Sequence, residues 1–414
     1  MDESIDPEHP DHRPPGLLGR HTEALTFGAI TALALAVTVV VSFLTADDPA
    51  VTAAAAGKDP STAAGTYQPQ TRTYYIGADS VPWNYAPDGK NDITGEPWDD
   101  VAGTFTVAGP DRIGTTYVKS LYREYTDDTF STLRPRSPEW EHLGDLGPVI
   151  HVVVGDKLRI VFRNGLDRPA SIHMHGLLYT KSSEGARYDD GTSDDQKPDD
   201  GVAPGDTYTY EYSVPKRAGP GPMDASSVMW MYHSHVDEIG DTNSGLVGPV
   251  IVTSADKATP DGTPEDVDRE LVTLFSVTDE NVSPDLARNM AALTAPPDPQ
   301  DEGFEESNHM HNINGYVFGN QPLGTKAGEG MTVRKGEHVR WYVMAMGTEV
   351  DLHTPHWHGE TVVINGMRTD VASLLPAQMV VADMTPDASG IWLFHCHVND
   401  HIAAGMMTRF QVVS

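Results

Sequence analysis

The tripeptide His395-Cys396-His397 contains the only cysteine of this 414-residue chain, and His401 and Met406 follow shortly after it. A thiolate, imidazoles and a distant thioether are the ligands of a blue copper site. Neighbouring side chains on a strand point to opposite faces. Cys396 would therefore face one metal site while His395 and His397 face another. The tripeptide predicts two metal sites that are joined through one short segment.

Histidines elsewhere in the chain repeat this spacing. Ten of the 18 histidines fall into four clusters. The i, i+2 spacing puts both imidazoles of a pair on one face of an extended segment. Eight imidazoles without a carboxylate suit a cluster of three copper ions, with two or three nitrogens for each ion. The four pairs are His173/His175, His233/His235, His356/His358 and His395/His397.

The remaining ligands make up the blue copper site. They are His353, Cys396, His401 and Met406. Met407 is an alternative axial ligand, but Met406 follows Gly405 and has the better spacing.

The composition narrows the class of protein. Asp and Glu outnumber Lys and Arg by 60 to 28, which gives a formal net charge of −32. This charge argues against binding of nucleic acid and favours solubility and attraction of cations. A single cysteine excludes any disulfide within the chain. The 38 Gly and 31 Pro, together with several short alternating segments, indicate an all-β architecture.

The N-terminal part has the pattern of a membrane anchor. Residues 24–44 are uncharged and mostly apolar, and they are long enough to span a bilayer. Arg13 and Arg20 precede this segment, so residues 1–23 are expected in the cytoplasm and the rest outside it. Secretion after cleavage near Ala53–Ala56 is the alternative. Residues 45–70 are expected to form a flexible linker to exported catalytic domains.

The remainder divides into two similar halves, residues 71–254 and 269–414, joined by a connector. In each half a similar segment, Gly155–Ile160 or Gly336–Trp341, precedes a His-x-His-Gly motif, and a Trp-bearing strand with a second His-x-His follows. This repeat predicts two β-sandwich domains. Residues 182–206 are acidic and Gly-rich and are expected to form a loop. The predicted strands are Ile150–Phe162, Thr207–Val214, Val228–Val236, Leu246–Val252, Glu270–Val277, His338–Met346, Thr361–Ile364, Met379–Met384, Gly390–Val398 and Met407–Val413.

The four histidine motifs resemble those of the multicopper oxidases. The resemblance implies Greek-key, cupredoxin-like (plastocyanin-like) domains and four copper ions for each chain: one type 1, one type 2 and two type 3. It assigns His173 and His356 to the type 2 ion. In this family electrons enter singly at the blue copper and pass through Cys-His to the cluster, where O2 is reduced to water. The resemblance assigns the type 3 pair to His175, His233, His235, His358, His395 and His397.

Within that family the chain most resembles the ceruloplasmin-type ferroxidases. The likeness covers nearly all of residues 73–414. Besides the copper motifs it is carried by residues 74–78, 83–87, 139–148, 306–311 and 314–316 and by Asp400-His401. By this resemblance Glu306, His311 and Asp400 would bind Fe(II) beside the blue copper. Carboxylates are hard donors that favour the oxidised ion, so loss of an electron becomes easier.

The chain also departs from that pattern. Ceruloplasmin has six such domains, whereas this chain has two, and Ser234 replaces the thiolate between His233 and His235. Each domain therefore holds half of the cluster ligands. Small two-domain oxidases of this kind are head-to-tail trimers, so the resemblance implies a homotrimer with its clusters at subunit interfaces.

Three other functions remain open from the sequence. A laccase-like enzyme would oxidise phenols or aromatic amines in an apolar groove at the blue copper. A two-domain copper nitrite reductase needs a lone type 2 copper, and the full set of four histidine pairs argues against it. An electron-transfer protein or copper carrier would leave eight cluster ligands unexplained.

Overall fold

The computed structural model describes residues 67–348 and 351–414, which belong to a unit spanning Ala63–Ser414. The expected anchor at residues 24–44, the segment before it and most of the linker lie outside the described residues. Within the described part of the chain, no helix is both long enough and apolar enough to span a membrane.

The first half of the described chain forms two four-stranded sheets, with strand orders β2-β1-β4-β6 and β3-β8-β7-β5. Buried side chains of both sheets share one core, which includes Ile76 and Ile160 from the first sheet and Ile150 and Val250 from the second. We call this pair of sheets the N-terminal sandwich. Its strands are β1 Thr71–Asn84, β2 Thr116–Tyr125, β3 Ile150–Val153, β4 Lys157–Asn164, β5 His173–Met174, β6 Thr207–Ser213, β7 Ser227–His233 and β8 Val247–Thr253.

The second half forms a six-stranded sheet, β10-β9-β12-β16-β14-β15, and a four-stranded sheet, β11-β18-β17-β13. Their shared core is aromatic, and the rings of Trp341 and Phe394 lie 4.9 Å apart. We call this pair the C-terminal sandwich. Its strands are β9 Arg269–Asp279, β10 His309–Ile313, β11 Thr332–Arg334, β12 Val339–Met346, β13 Pro355–Trp357, β14 Val362–Ile364, β15 Met367–Thr369, β16 Met379–Met384, β17 Gly390–Cys396 and β18 Met407–Val413.

Short helices connect the strands. The α-helices are α1 Asp100–Thr106, α2 Glu238–Ser244, α3 Leu286–Met290, α4 Glu302–Ser307 and α5 Asn399–Ala403. The 3₁₀ turns are Pro138–Leu143, Lys181–Ser183, Asp194–Gln196 and Lys216–Ala218. The side chains of Asp99, Asp237 and Asp301 accept hydrogen bonds from backbone N–H groups and so fix where α1, α2 and α4 begin. Helices α2 and α5 follow β7 and β17, each of which carries the first histidine of the second pair in its half.

A third apolar cluster joins the two sandwiches. Met231 and Ile251 of the N-terminal sandwich pack with Val272 and Met344 of the C-terminal sandwich. A buried carboxylate lies at the same interface, where Glu270 of the C-terminal sandwich lies 3.1 Å from His151 Nε2 of the N-terminal sandwich and accepts a hydrogen bond from Tyr342 at 2.8 Å. Apolar packing and a satisfied buried carboxylate both hold the sandwiches against each other.

One predicted strand is wrong. Ile150–Phe162 is two strands, β3 and β4, which lie in different sheets. Gly155 adopts a φ of +102° between them, and the Asp156 carboxylate accepts a hydrogen bond from Val153 N at 3.1 Å. These contacts close a tight turn that an apolar run does not reveal. The predicted strands Val228–Val236 and Gly390–Val398 also end earlier, at His233 and Cys396.

Candidate metal centres

Strand pairing brings the residues around Cys396 together. Strand β17 ends at Cys396, and its partner β13 places Pro355 opposite Cys396 and His356 opposite His395. The backbone N–H of Cys396 donates to the carbonyl of Met406 at 3.1 Å. The segment before β13 and the segment before β18 therefore both meet at the end of β17.

His353, Cys396 and His401 form a buried group whose ligand atoms all lie within 4.8 Å of one another. Cys396 Sγ lies 3.5 Å from His401 Nδ1. His353 donates through Nε2 to the carbonyl of Met346 at 3.0 Å, which leaves its buried Nδ1 without a partner. Buried polar atoms are normally satisfied, and a metal ion would satisfy this one. With buried Met406 nearby, the donor set fits copper.

Burial also sets the charge states at this site. It lowers the pKa of His353 to about 4 and lowers the pKa of His401, so both imidazoles are neutral near neutral pH. Burial raises the pKa of the Cys396 thiol, although Thr354 N donates a hydrogen bond to Sγ at 3.3 Å. Binding of a metal ion at Cys396 therefore releases a proton.

The N-terminal histidine quartet, His173, His175, His233 and His235, lies at the ends of β5 and β7. The Nε2 atoms of His175 and His233 are 3.0 Å apart. The ring nitrogens Nδ1 of His173 and His233 donate to the carbonyls of Glu184 and Ser234, at 2.7 and 3.0 Å. Because a carbonyl only accepts, these contacts fix the proton on Nδ1 and leave Nε2 free to bind a metal.

The C-terminal histidine quartet, His356, His358, His395 and His397, has the same arrangement. The Nε2 atoms of His358 and His395 are 3.0 Å apart. His356 Nδ1 donates to the carbonyl of Asp370 at 2.9 Å, and His395 Nδ1 donates to the carbonyl of Cys396 at 2.7 Å. Burial lowers the pKa of His395 to about 4, as it does for His175 and His233 in the N-terminal quartet. His175, His233 and His395 therefore present neutral imidazoles.

The glycine of each His-x-His-Gly motif has a structural reason. Gly176 and Gly359 have φ values of +75° and +70°. A Cβ at these positions would lie 2.3 Å from the Trp230 ring and 2.4 Å from the Trp392 ring. The two indoles are held by matching hydrogen bonds to the carbonyls of Ala218, at 2.7 Å, and Ala388, at 3.0 Å. Only glycine satisfies both the conformation and the close approach.

The two quartets do not meet within the described part of the chain. Every ring contact between these eight histidines joins members of the same quartet. The groups of residues that could hold a metal ion are likewise separate. Each quartet therefore presents half of a possible cluster.

Glu306, His311 and Asp400 line one cavity of about 430 Å³. They come from the end of α4, from β10 and from α5. The ring centre of His311 lies 5.3 Å from that of His401. Burial and the neighbouring His401 lower the pKa of His311 to about 4. A neutral imidazole and two carboxylates thus face a space beside the Cys396 site.

The cavity has further polar residues that the sequence did not indicate: Asp279, His309 and Asp351. His309 lies 3.5 Å from both Asp279 and Glu306, and the hydrogen bond with Asp279 raises its pKa. Asp279 and His309 are opposite each other in the β9–β10 ladder. The i, i+2 spacing of His309 and His311 is visible in the sequence, whereas the pairing of the two strands is not.

Two models of the family described as "Multicopper oxidase" match residues 144–257 and 294–414, together more than half of the chain. The chain belongs to the multicopper oxidase family. Its members are copper-dependent oxidoreductases, so the resemblance inferred from the histidine motifs is confirmed.

This chain also matches relatives that are much longer than itself. Hephaestin from Rattus norvegicus is 42% identical over 350 residues, which are 83% of this chain and 29% of hephaestin. "Ferroxidase HEPHL1" from Homo sapiens is 44% identical over 348 residues, 83% of this chain and 29% of that protein. Ceruloplasmin from Rattus norvegicus is 40% identical over 348 residues, 82% of this chain and 32% of ceruloplasmin. The chain thus spans about a third of these relatives or less, and it is a ceruloplasmin-like member of the family.

Solved structures confirm the fold class. A multicopper oxidase matches with a TM-score of 0.50 and 19% identity, over 83% of this chain and 89% of that one. Copper nitrite reductase from Nitrosomonas europaea matches with a TM-score of 0.51 and 16% identity, over 83% of this chain and 94% of that one. The described residues therefore have the expected all-β, cupredoxin-like fold.

Proposed function

We propose that this multicopper oxidase is a ferroxidase: it takes electrons one at a time from Fe(II) and uses four of them to reduce O2 to water. The cavity beside His401 supports Fe(II) as the substrate. Fe(II) would bind to Glu306, His311 and Asp400, and the name of the relative "Ferroxidase HEPHL1" agrees with this choice.

The observation that carries the proposal is the position of His311. Its ring contacts that of His401 at 5.3 Å, and its cavity also contains Glu306 and Asp400. An iron ion held there would lie next to a ligand of the mononuclear site. Carboxylate oxygens are hard donors and bind the ferric product more tightly than the ferrous substrate. The same residues therefore capture the ion and favour its oxidation.

The chain's own residues would hold two kinds of copper site. His353, Cys396, His401 and Met406 would hold the mononuclear ion, and the two histidine quartets would hold the cluster. When bound, copper supplies the one-electron redox steps and the binding and reduction of dioxygen. The Cys396 backbone is bonded directly to His395 and His397, and its carbonyl accepts the 2.7 Å hydrogen bond from His395 Nδ1. Cys396 therefore connects the two sites by a short path through bonds.

The cluster would form between copies of the chain. We propose a head-to-tail homotrimer in which the N-terminal quartet of one protomer faces the C-terminal quartet of the next. His173 and His356 would share the type 2 ion, and the other six histidines would hold the type 3 pair, giving four copper ions for each chain. The separation of the quartets within one chain supports this arrangement. A closed ring of three copies would complete three clusters.

The acidic cavity also supports Fe(II) over an aromatic substrate. A laccase-like enzyme needs an apolar groove for a phenol or an aromatic amine. Besides apolar residues such as Phe105 and Val277, the cavity beside His401 contains four carboxylates and two histidines, which favour a cation: Asp279, Glu306, Asp351, Asp400, His309 and His311. A nitrite reductase or an electron carrier would leave one or both quartets without a role.

The sequence supports the cellular placement. The apolar segment 24–44 would anchor the chain, with domains 71–254 and 269–414 outside the cytoplasm; the alternative is secretion after cleavage.

Steady-state turnover of Fe(II) and of a phenol by the copper-loaded full chain tests the proposed substrate. Glu306→Ala and Asp400→Ala should each lower Fe(II) oxidation at least about tenfold, because each removes an iron ligand. Oxidation of the phenol should remain. Glu305→Ala is the matched control, since this exposed carboxylate lies on the same helix and does not line the cavity. If both cavity variants oxidise Fe(II) like the wild type, the iron site is wrong.

A further inference from the structure

Ser234 occupies in the N-terminal quartet the place that Cys396 occupies in the C-terminal quartet. Each is the middle residue of the second His-x-His motif in its half. Each accepts a hydrogen bond from the backbone N–H of the residue two positions before the first histidine of the His-x-His-Gly motif. Ser171 N donates to Ser234 Oγ at 3.2 Å, and Thr354 N donates to Cys396 Sγ at 3.3 Å. The backbone is therefore arranged in the same way around both central residues, although the central atom is an oxygen in one and a sulfur in the other.

A second hydrogen bond extends this match to the histidines. His235 N donates to Ser171 Oγ at 3.0 Å, and His397 N donates to Thr354 Oγ1, also at 3.0 Å. In both quartets, the second histidine of the pair is thus held by the side chain of the same residue whose backbone N–H contacts the central residue. A shift of the central residue would move that histidine.

The partner of the central residue differs between the quartets. Cys396 faces His401 on helix α5. Ser234 instead donates through Oγ to Asp241 Oδ2 at 2.6 Å, and Asp241 lies on the equivalent helix α2. Asp241 is only 1% exposed, and its other oxygen pairs with Arg168 at 3.4 Å. A buried carboxylate with a cationic partner thus contacts the residue that corresponds to the copper-binding thiol.

Further contacts hold Arg168 in place. Its Nη2 donates to Ser120 Oγ at 3.0 Å and to Ser244 Oγ at 3.2 Å, and its Nη1 lies 3.6 Å from Asp285. No copper site of the Cys396 kind can form here, because the other ligands are also replaced. Matching backbone hydrogen bonds show which residues are equivalent: Ser234 N donates to Leu246 O as Cys396 N donates to Met406 O, and Leu246 N donates to Asp241 O as Met406 N donates to His401 O. The residues at positions equivalent to His353, His401 and Met406 are therefore Ala170, Asp241 and Leu246.

We infer that Asp241, held by Arg168, is a positioning residue for the copper cluster. Its hydrogen bond with Ser234 fixes that residue in place, as a bound metal ion would fix Cys396. The inference rests on the proposed function. Ser234 in turn orients both histidines. Its carbonyl accepts a hydrogen bond from His233 Nδ1 at 3.0 Å. Its Oγ and the backbone N–H of His235 are both hydrogen-bonded to Ser171. Outer contacts of this kind orient metal ligands and typically change metal affinity by about 10–100-fold.

Copper titration against a chelator tests the inference. Ser234→Ala removes the link to Asp241 and leaves the ion pair with Arg168 intact, so the chain should fold. We expect it to keep the visible absorption of the thiolate-bound copper and to bind the cluster copper at least about tenfold more weakly. The double variant Asp241→Ala/Arg168→Met removes both charges of the ion pair, and the buried Asp285 keeps Arg288 at 3.6 Å. It should behave in the same way.

Ser120→Ala is the matched control, because Ser120 belongs to the same network and has no hydrogen bond to the quartet. It should keep its cluster copper. A readout without copper is amide hydrogen exchange, which should become faster at His233–Val236 in Ser234→Ala and not in Ser120→Ala.

Cluster affinity within about twofold of the wild type in both the Ser234 and the Asp241/Arg168 variants would overturn the inference, as would equal weakening by Ser120→Ala. The proposed function fails separately, if the wild type holds no cluster copper.

Discussion

Thr354 contacts Cys396 with its backbone and His397 with its side chain. Its N–H donates to Cys396 Sγ at 3.3 Å, and its Oγ1 accepts the backbone N–H of His397 at 3.0 Å. One residue thus lies between the proposed mononuclear site and the proposed cluster. Its two hydrogen bonds can be removed separately.

Thr354→Val keeps the shape of the side chain and removes the acceptor for His397 N, together with the longer contact of 3.9 Å between Oγ1 and Cys396 Sγ. We expect the visible absorption of the thiolate-bound copper to remain, because the backbone contact with Sγ is unchanged. Oxygen consumption should fall about tenfold, because His397 loses its orientation. Thr354→Ser restores the hydroxyl and should restore oxygen consumption. Equal oxygen consumption by the valine and serine variants would show that this hydrogen bond does not position His397.

Gly359→Ala tests the close approach of the His-x-His-Gly turn to Trp392. The added Cβ would meet the indole at 2.4 Å, so the turn or the tryptophan must move. We expect a loss of about 2–4 kcal/mol in unfolding free energy, together with loss of cluster copper. Gly366→Ala is the matched control, because its φ is +77° and nothing lies near its Cβ. That variant isolates the backbone strain, of about 1 kcal/mol. If the two variants lose equal stability and both keep copper, contact with Trp392 does not hold the motif.

The grouping of the candidate metal ligands could be predicted largely from the sequence, because their spacing is local. A His-x-His pair on an extended segment needs no knowledge of the rest of the fold to place its two rings on one side. The structure brings His353 and His401 to Cys396, as their spacing and type suggested.

Other features depend on pairings over long distances, which the sequence does not reveal. Asp279 reaches His309 only because β9 pairs with β10, and Phe105 contacts His311 from a helix some two hundred residues away in the chain. The contact of Ser234 with Asp241 likewise depends on how α2 packs. The turn at Gly155 was missed because apolar residues continue on both sides of it.

The pair Lys119–Glu280 lies in the interior and joins β2 to the end of β9. Lys119 Nζ contacts Glu280 at 2.6 Å and Tyr85 OH at 2.8 Å, and neither charged side chain is exposed. Lys119→Met would leave a buried carboxylate without its cation, so we expect a loss of about 3–5 kcal/mol in unfolding free energy. Lys119→Met/Glu280→Gln should recover much of it. The free energies of unfolding can be measured by chemical denaturation. A double variant that is less stable than Lys119→Met would contradict this account.

The buried carboxyl group of Asp145 should lower the free energy of unfolding as the pH rises. Burial raises the pKa of this carboxyl to about 6, from about 3.9 in an unfolded chain. The folded state therefore binds the proton more tightly. This contribution is fully present below about pH 4 and is lost as the pH rises through about 6.

Asp145→Asn removes this dependence. We expect the variant to be more stable than the wild type by about 1–3 kcal/mol above about pH 7, with little difference near pH 4. Denaturant midpoints at the two pH values provide the measurement. A difference between variant and wild type that is the same at both would contradict the assignment.

The central claim is that electrons from Fe(II) enter at the Cys396 site and leave to O2 at the cluster. Anaerobic addition of Fe(II) to the copper-loaded protein, followed by air, tests it most directly. We predict that the visible thiolate-to-copper absorption disappears on addition of Fe(II) and returns as oxygen is consumed. Absorption that persists in the presence of Fe(II), or that returns without consumption of oxygen, would contradict the account.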